Sequence, residues 1–162
     1  MTIYTWMYSL YGWGMISRTS EYVLQAMIHL ARHVDEWPIA GRKIAEQTGI
    51  PRKYLAAILS DLVRVQVLES SPGARGGFRL ARSAKVIRLS EVFAPFEPIL
   101  DNRRPCPFGQ EVCSDDDPCA GHDQWKHVRE TYGRFLEKNS IYDVAFTRRK
   151  RRAAKAPRRA KR

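Results

Sequence analysis

Three cysteines and one histidine form the group of residues whose types and spacing could bind a metal or support redox chemistry. Cys106, Cys113 and Cys119 are the only cysteines in the chain, and His122 follows the last of them by three positions. Three thiols cannot all pair within one chain, and the N-terminus lacks a secretion signal, so we expect a cytoplasmic protein. Clustered thiols in that compartment favour metal or redox chemistry over structural disulfides.

The spacing of these residues leaves several chemistries open. Six and five residues separate the successive cysteines, whereas zinc sites prefer two to four between paired cysteines, so a zinc site fits poorly. A metal-free thiol switch is a second possibility, although the aspartates at 115–117 would raise the thiol pKa values and slow oxidation. A cluster-bearing electron carrier is a third. The chain has no second cysteine set and no nucleophile–base motif, so we do not expect an enzyme.

The net charge of +11 is concentrated at the C-terminus. Ten of the 28 lysines and arginines, and no acidic residue, lie in residues 148–162, which leaves 18 bases against 17 acids elsewhere. Residues 147–162 are therefore predicted to be a disordered basic tail that adds nonspecific phosphate contacts. No apolar run reaches the roughly 18 residues of a membrane-spanning helix, so no membrane association is expected.

A helix-turn-helix is the clearest pattern ahead of the cysteines. The sequence predicts a helix over 39–47, a turn in which Gly49 takes a positive φ, and a second helix over 51–65 that starts with proline. The second helix of this motif enters the DNA major groove with its N-terminal residues over the base edges. The residues at those positions, which we predict to contact DNA, are Arg52, Lys53 and Tyr54.

A short β-hairpin is predicted directly after the helix-turn-helix. Residues 67–70 and 78–81 are strand-like and are joined by a turn-rich loop. A hairpin in this position is a wing, and its loop carries Arg75, Gly76 and Gly77. Glycines let the backbone approach a phosphate closely, and an arginine at a wing tip can enter a narrow minor groove. Helix-turn-helix and wing together favour a DNA-binding domain.

Two longer helices are predicted at the ends of the ordered chain. The first begins at Ser20, which can cap it, and carries Glu21 in its first turn. The second follows the cysteines and has an apolar stripe at helical spacing, which favours a dimerisation helix; packing within the same chain is the alternative. The stripe consists of Trp125, Val128, Tyr132, Phe135 and Leu136.

The chain is thus predicted to be mainly α-helical, with a small β-hairpin wing and a long C-terminal dimerisation helix. Prolines, glycines and aspartates between the cysteines predict a loop there. The predicted segments are an N-terminal extension upstream of the native start at 1–14, a winged helix-turn-helix at 15–100, a cysteine loop at 101–122, the dimerisation helix at 122–146 and the basic tail at 147–162. A segment that packs on the dimer is the alternative for residues 1–14.

The order of these elements resembles a bacterial family of iron–sulfur winged-helix repressors that includes the IscR, NsrR and RirA types. The resemblance spans about residues 15–144 and rests on the stretches SRTSEYVLQAMIHLA, IAEQTGIPRKYLAAIL and GARGGFRLA, together with three cysteines ahead of a long helix. It implies a homodimeric transcription factor that reads a palindromic operator in double-stranded DNA. It also implies that the three cysteines bind an iron–sulfur cluster whose state controls DNA affinity.

The resemblance leaves the fourth cluster ligand open between two residues. His122 stands at the spacing where a histidine ligates a two-iron cluster in IscR-type proteins. Glu21 of the partner subunit aligns with an acidic residue that ligates a four-iron cluster in NsrR-type proteins, although the family has aspartate there. Six residues separate Cys106 from Cys113, where five are common in the family, so the cluster type stays open.

Overall fold

The computed structural model describes residues 16–97, 106–111 and 113–146. The described chain is mainly helical with one two-stranded antiparallel hairpin, as the sequence predicts. Its elements are α1 (Arg18–Arg32), a 3-10 turn (Val34–Glu36), α2 (Gly41–Thr48), α3 (Arg52–Arg64), β1 (Leu68–Ser71), β2 (Gly77–Leu80), α4 (Leu89–Phe93), α5 (His122–Lys138) and α6 (Ile141–Phe146). The predicted extension at 1–14 and the tail at 147–162 lie outside the described residues.

Helices α2 and α3 form the predicted helix-turn-helix. Gly49 ends α2 with a φ of 72°, and its N–H donates to the Ala45 carbonyl at 2.9 Å. Pro51 precedes the first residue of α3, so its missing N–H costs no helical hydrogen bond. Every third or fourth residue of α3 is buried against the core, which leaves the start of the helix exposed. The buried residues are Leu55, Ile58, Leu59 and Leu62.

The wing is attached to the helix-turn-helix by backbone hydrogen bonds. Strands β1 and β2 pair from Leu68–Leu80 to Ser71–Gly77. Ile39 and Phe78 exchange N–H···O bonds of 3.0 and 2.9 Å, which fixes the hairpin beside the start of α2. A Cβ atom at Gly77 would collide with the Ile39 backbone, so this approach requires glycine.

Helix α1 begins earlier than the sequence predicts. Ser17 is the N-cap, and its side-chain oxygen accepts a hydrogen bond from the Ser20 N–H at 3.1 Å. The expected cap at Ser20 is wrong, because Ser20 lies inside the helix and is fully buried. Both serines precede the apolar face, but only Ser17 has extended backbone angles and a donor three residues ahead.

The segment predicted as one helix over 122–146 is two helices. Asn139, the C-cap of α5, has extended backbone angles, and α6 starts at Ile141. The Asn139 carbonyl accepts from the Leu89 N–H at 3.0 Å, and the Ile141 N–H donates to the Ile87 carbonyl at 3.0 Å. These long-range bonds fasten the end of α5 to the body of the protein.

Helix α6 packs on α1, so the end of the described chain contacts the DNA-binding domain. Arg32 donates from Nε and Nη2 to the Ala145 carbonyl at 2.9 and 2.8 Å, so it satisfies a carbonyl at the end of α6. The core includes fully buried side chains from α1, α2, α3 and α5, such as Met27, Ile44, Leu59 and Leu136. None of the described helices is long and apolar enough to cross a membrane.

Candidate metal centre and nucleic-acid interface

The described part of the cysteine segment folds so that the three thiols and His122 converge at the start of α5. The Sγ atoms of Cys106 and Cys119 lie 3.6 Å apart, and Cys113 Sγ lies 3.6 Å from His122 Nδ1. Cys106 and His122 are each 5% exposed, while the other two cysteines are half-buried. Four soft or borderline donors therefore face one small region that is partly shielded from water.

Local backbone geometry holds Cys106 in this position. The Cys106 N–H donates to the Gln110 carbonyl at 2.9 Å, and the Gly109 N–H donates back to the Cys106 carbonyl at 3.0 Å. Gly109 has a φ of 99°, a value that favours glycine, so this tight turn depends on that residue. The turn also directs the Phe108 N–H at Cys106 Sγ, with a separation of 3.4 Å.

Aromatic packing closes the same turn onto the start of α5. The Phe108 ring meets the Trp125 ring edge to face, with centroids 6.2 Å apart. Gly121 lies beneath Phe108, and a Cβ atom there would approach the ring to 3.0 Å. The His122 N–H donates to the Cys119 carbonyl at 3.0 Å, which joins the last cysteine to the first helical residue. The candidate ligands are thus positioned by one loop and one helix end.

Asp115 orients the His122 ring through hydrogen bonding. His122 Nε2 lies 2.7 Å from Asp115 Oδ1, so Nε2 carries the proton and donates it to the carboxylate. In the neutral imidazole the opposite nitrogen, Nδ1, carries no proton, and this nitrogen lies 3.6 Å from Cys113 Sγ. Lys126 Nζ donates to both Asp115 oxygens at 2.7 and 2.8 Å. The hydrogen bond from Lys126 is the largest cause that lowers the pKa of Asp115 below its ordinary value, and the hydrogen bond from His122 is the next largest.

The thiols have unequal acidities. The Phe108 N–H lowers the pKa of the Cys106 thiol, because a hydrogen bond to sulfur favours the thiolate. Burial raises the pKa of Cys119, because a low-polarity environment disfavours charge. The sequence predicted that the aspartates at 115–117 would raise the thiol pKa values. At these two cysteines the governing causes are burial and backbone N–H groups instead.

The donor set has the chemistry that an iron–sulfur cluster takes, namely cysteine thiolates and a histidine. Two thiolates on one tetrahedral metal lie about 3.8 Å apart, and a thiolate and an imidazole about 3.6 Å apart, given bonds near 2.3 and 2.0 Å. Both observed pairs match these separations. Within the residues that the structure describes, no group of three or more histidine, cysteine and acidic side chains is arranged around one metal ion.

The second candidate for the fourth ligand, Glu21, lies in the first turn of α1. Its side chain is 14% exposed, and it forms an ion pair with Arg18 at 3.9 Å. In the isolated protomer it belongs to the DNA-binding domain, whereas His122 directly contacts a cysteine. The single chain thus brings His122 into contact with a cysteine thiol.

Of the predicted DNA contacts, those on α3 and Arg75 are exposed, whereas Gly76 is half-buried and Gly77 is buried at the start of β2. Arg52, Lys53 and Tyr54 form the first turn of α3, and all three are exposed, with Tyr54 at 63%. Arg75 is exposed in the turn that the Gly76 N–H closes onto the Gly73 carbonyl at 2.9 Å. Gly76 cannot carry a side chain, because a Cβ atom there would collide with the Ser71 carbonyl.

Two neighbours of this interface were missed by sequence reasoning. The Tyr22 ring packs near the Tyr54 ring, with centroids 6.4 Å apart, and Arg18 Nε donates to the Tyr22 hydroxyl at 3.1 Å. Arg18 and Tyr22 are four residues apart, so a helical-spacing search of α1 would have paired them. The contacts of Asp115 in the candidate metal centre were also missed, because they join a loop to a helix and no local sequence pattern predicts them.

Comparison with known proteins agrees with this architecture. Residues 16–147 match the Rrf2 family, described as "Iron-dependent Transcriptional regulator". The chain is 30% identical over 129 residues to the transcriptional regulator IscR of Xenorhabdus nematophila, covering 80% of this chain and 77% of that protein. It is 29% identical, with the same coverage, to a regulator of Azotobacter vinelandii named ORF2.

Solved structures give the same result. The IscR of T. potens superposes with a TM-score of 0.64 at 26% identity and covers 80% of this chain and 84% of its own. CymR, the global cysteine regulator of B. subtilis, superposes with a TM-score of 0.65 at 26% identity and covers 82% of this chain and 97% of its own. These similar proteins are regulators, which confirms the prediction that the chain is not an enzyme. The chain belongs to the Rrf2 family of winged-helix transcriptional regulators.

Proposed function

We propose that this DNA-binding regulator is a homodimeric cytoplasmic repressor whose operator affinity is controlled by an iron–sulfur cluster. The observation that carries the proposal is the convergence of Cys106, Cys113, Cys119 and His122 in two 3.6 Å pairs at the start of α5. The bound cluster would contain an iron atom with a non-thiolate ligand. Oxygen, nitric oxide or iron scarcity can convert or remove such a cluster.

The protein's own groups favour the charge states that metal ligation needs. Ligating cysteines must be thiolates and a ligating histidine must present an unprotonated nitrogen. The Phe108 N–H favours the Cys106 thiolate, and Asp115 holds the proton of His122 on Nε2. The half-buried position of the thiols limits the access of water. These features support His122 over the partner subunit's Glu21 as the fourth ligand, and with it a two-iron cluster.

We assign operator reading to α3 and the wing. Arg52, Lys53 and Tyr54 would lie over base edges and phosphates in the major groove. Arg75 would enter the adjacent minor groove. Gly76 allows the tight turn of the wing against Ser71, and Gly77 allows the wing to lie against Ile39 beside the helix-turn-helix. The exposure of Arg52, Lys53, Tyr54 and Arg75 supports this assignment.

Dimerisation is assigned to the exposed apolar face of α5. Val128 and Phe135 are 45% and 51% exposed, and Trp125 and Tyr132 are only partly covered. Exposed aromatic and aliphatic side chains on one helix face are typical of an interface. A two-fold dimer presents two recognition helices to a palindromic operator. Because the candidate ligands lie at the start of the same helix, cluster binding would alter the spacing of those helices.

The cofactor is tested by anaerobic purification, followed by visible absorption, iron and sulfide analysis and Mössbauer spectroscopy. We expect a coloured protein with equimolar iron and sulfide, and loss of both in Cys106→Ala. His122→Ala should keep iron but change the spectrum, because one ligand is replaced. A colourless protein that contains neither iron nor sulfide after anaerobic reconstitution would contradict the proposal.

A metal-free thiol switch is the second candidate. The 3.6 Å separation of Cys106 and Cys119 Sγ favours it, because a modest approach would form a disulfide. CymR, one of the similar structures, is named as a global cysteine regulator. Alkylation and mass spectrometry after peroxide treatment distinguish the two: a reversible Cys106–Cys119 disulfide that alone changes DNA affinity, in protein without iron, favours the switch.

A further inference from the structure

Asp115 makes contacts that join the cysteine loop to α5. Its Oδ1 accepts from His122 Nε2 and from Lys126 Nζ, both at 2.7 Å, and its Oδ2 accepts from Lys126 at 2.8 Å. His122 and Lys126 are one helical turn apart, so a single carboxylate bridges two positions on the same helix face. The carboxylate also lies at the positive N-terminal end of α5.

We propose that Asp115 is the positioning residue for the His122 ligand, holding the imidazole in the tautomer whose free Nδ1 faces Cys113. The inference rests on the proposed cluster function and names a residue that controls it. Asp115 is two positions after Cys113, so the same anchor keeps the Cys113 thiol 3.6 Å from the ring. Metal-bound histidines commonly donate their second N–H to a carboxylate, which fixes ring orientation and raises ligand basicity.

The neighbouring aspartates provide internal comparisons. Asp117 Oδ2 accepts from Gln110 Nε2 at 3.4 Å, within the loop. Asp116 is exposed, and its backbone N–H donates to Ser114 Oγ at 3.1 Å. Replacing Asp116 removes the same charge one residue away from Asp115. Asp116→Asn therefore controls for the loss of one negative charge from this loop, and Asp115→Ala removes the hydrogen-bond acceptor as well as the charge.

The tautomer is measured in the cluster-free protein by long-range ¹H–¹⁵N correlation of the histidine rings at mildly alkaline pH. His122 signals are assigned by their loss in His122→Gln. We expect the Nε2–H tautomer in wild type and Asp116→Asn, and a tautomer mixture in Asp115→Ala. An unchanged His122 tautomer in Asp115→Ala overturns the proposal. Far-ultraviolet circular dichroism verifies that this exposed-loop variant is folded.

Cluster retention provides the second measurement. Protein reconstituted with ferrous iron and sulfide is challenged with a chelator, and the decay of visible absorption is followed. Asp115→Ala should lose its cluster about 10- to 100-fold faster than wild type, the range found when such histidine partners are removed. Lys126→Met should show a smaller acceleration and Asp116→Asn none. Equal decay in Asp115→Ala and Asp116→Asn overturns the proposal.

The two measurements separate this inference from the proposed function. If wild type takes up no iron and sulfide, the cluster proposal fails, and the tautomer experiment still decides whether Asp115 orients His122. If wild type holds a cluster but either measurement leaves Asp115→Ala unchanged, the positioning role fails and the cluster proposal stands.

Discussion

At the scale of single residues, the candidate ligands were predictable from their residue types, but the residue that holds His122 in position was not. Cysteine is rare in this chain and clustered in one loop, so sequence alone identifies Cys106, Cys113 and Cys119. The spacing of His122 marked it as a candidate. The role of Asp115 depends on contacts with two residues of α5, and three successive aspartates look alike in sequence. Only the folded arrangement distinguishes them.

Arg75 gives a residue-scale prediction for DNA binding. Arg75→Ala should weaken operator binding about tenfold, because an arginine in a narrow minor groove loses a favourable electrostatic contact. Fluorescence anisotropy with an operator duplex measures the change. Arg79→Ala is the matched control, because Arg79 is also on the wing but pairs with Glu69 at 2.6 Å. Equal losses in the two variants would indicate a general charge effect and contradict the assignment.

At the scale of elements, local signals predicted the helices and the wing better than their ends. Gly49 and the apolar spacing of α3 predicted the helix-turn-helix, because those signals act within a few residues. The break between α5 and α6 was missed. It depends on two hydrogen bonds to residues about fifty positions earlier: the Asn139 carbonyl accepts from the N–H of Leu89, the first residue of α4, and the Ile141 N–H donates to the Ile87 carbonyl. Such long-range pairing leaves no mark on helical periodicity.

The exposed face of α5 gives the element-scale prediction. Phe135→Asp should convert the dimer to a monomer, because a carboxylate would be buried without a partner in an apolar interface. Sedimentation velocity at several concentrations measures the change. Val86→Asp is the control, because Val86 has a similar exposure of 53% but lies outside α5. A wild-type protein that sediments as a monomer at all concentrations would contradict the dimer assignment.

At the scale of the whole molecule, contacts connect the candidate metal centre to the DNA-binding domain. Glu97, 6% exposed, accepts a hydrogen bond from the Ser17 N–H at 3.0 Å, which joins the segment ahead of the cysteines to the cap of α1. Burial, with a smaller contribution from Glu97, raises the pKa of Tyr132 on α5 to about 12. Glu97 therefore joins the segment after α4 to α1, against which α3 packs. Helix α5, which starts at His122, packs on α4, so the candidate metal centre is connected to the same domain.

The C-terminal charges give a prediction for the whole chain. Deleting residues 147–162 removes ten positive charges. The dependence of operator affinity on salt should become shallower, because fewer counterions are released from DNA. Binding titrations at several salt concentrations measure this slope. The footprint on the operator should be unchanged, and a shifted footprint would contradict a purely nonspecific role for these residues.

The central claim is that the state of the metal centre controls DNA affinity. A control variant, Cys106→Ala, keeps the DNA-binding residues but lacks one thiolate. The most direct measurement is anaerobic operator binding by cluster-loaded protein, cluster-free protein and this variant. Coupling between two sites is typically 5- to 150-fold in affinity, so we expect loaded and cluster-free protein to differ within that range. Cys106→Ala should bind the operator with the affinity of the cluster-free protein, both before and after treatment to load the cluster. Equal operator affinity for loaded and cluster-free wild type would contradict the account.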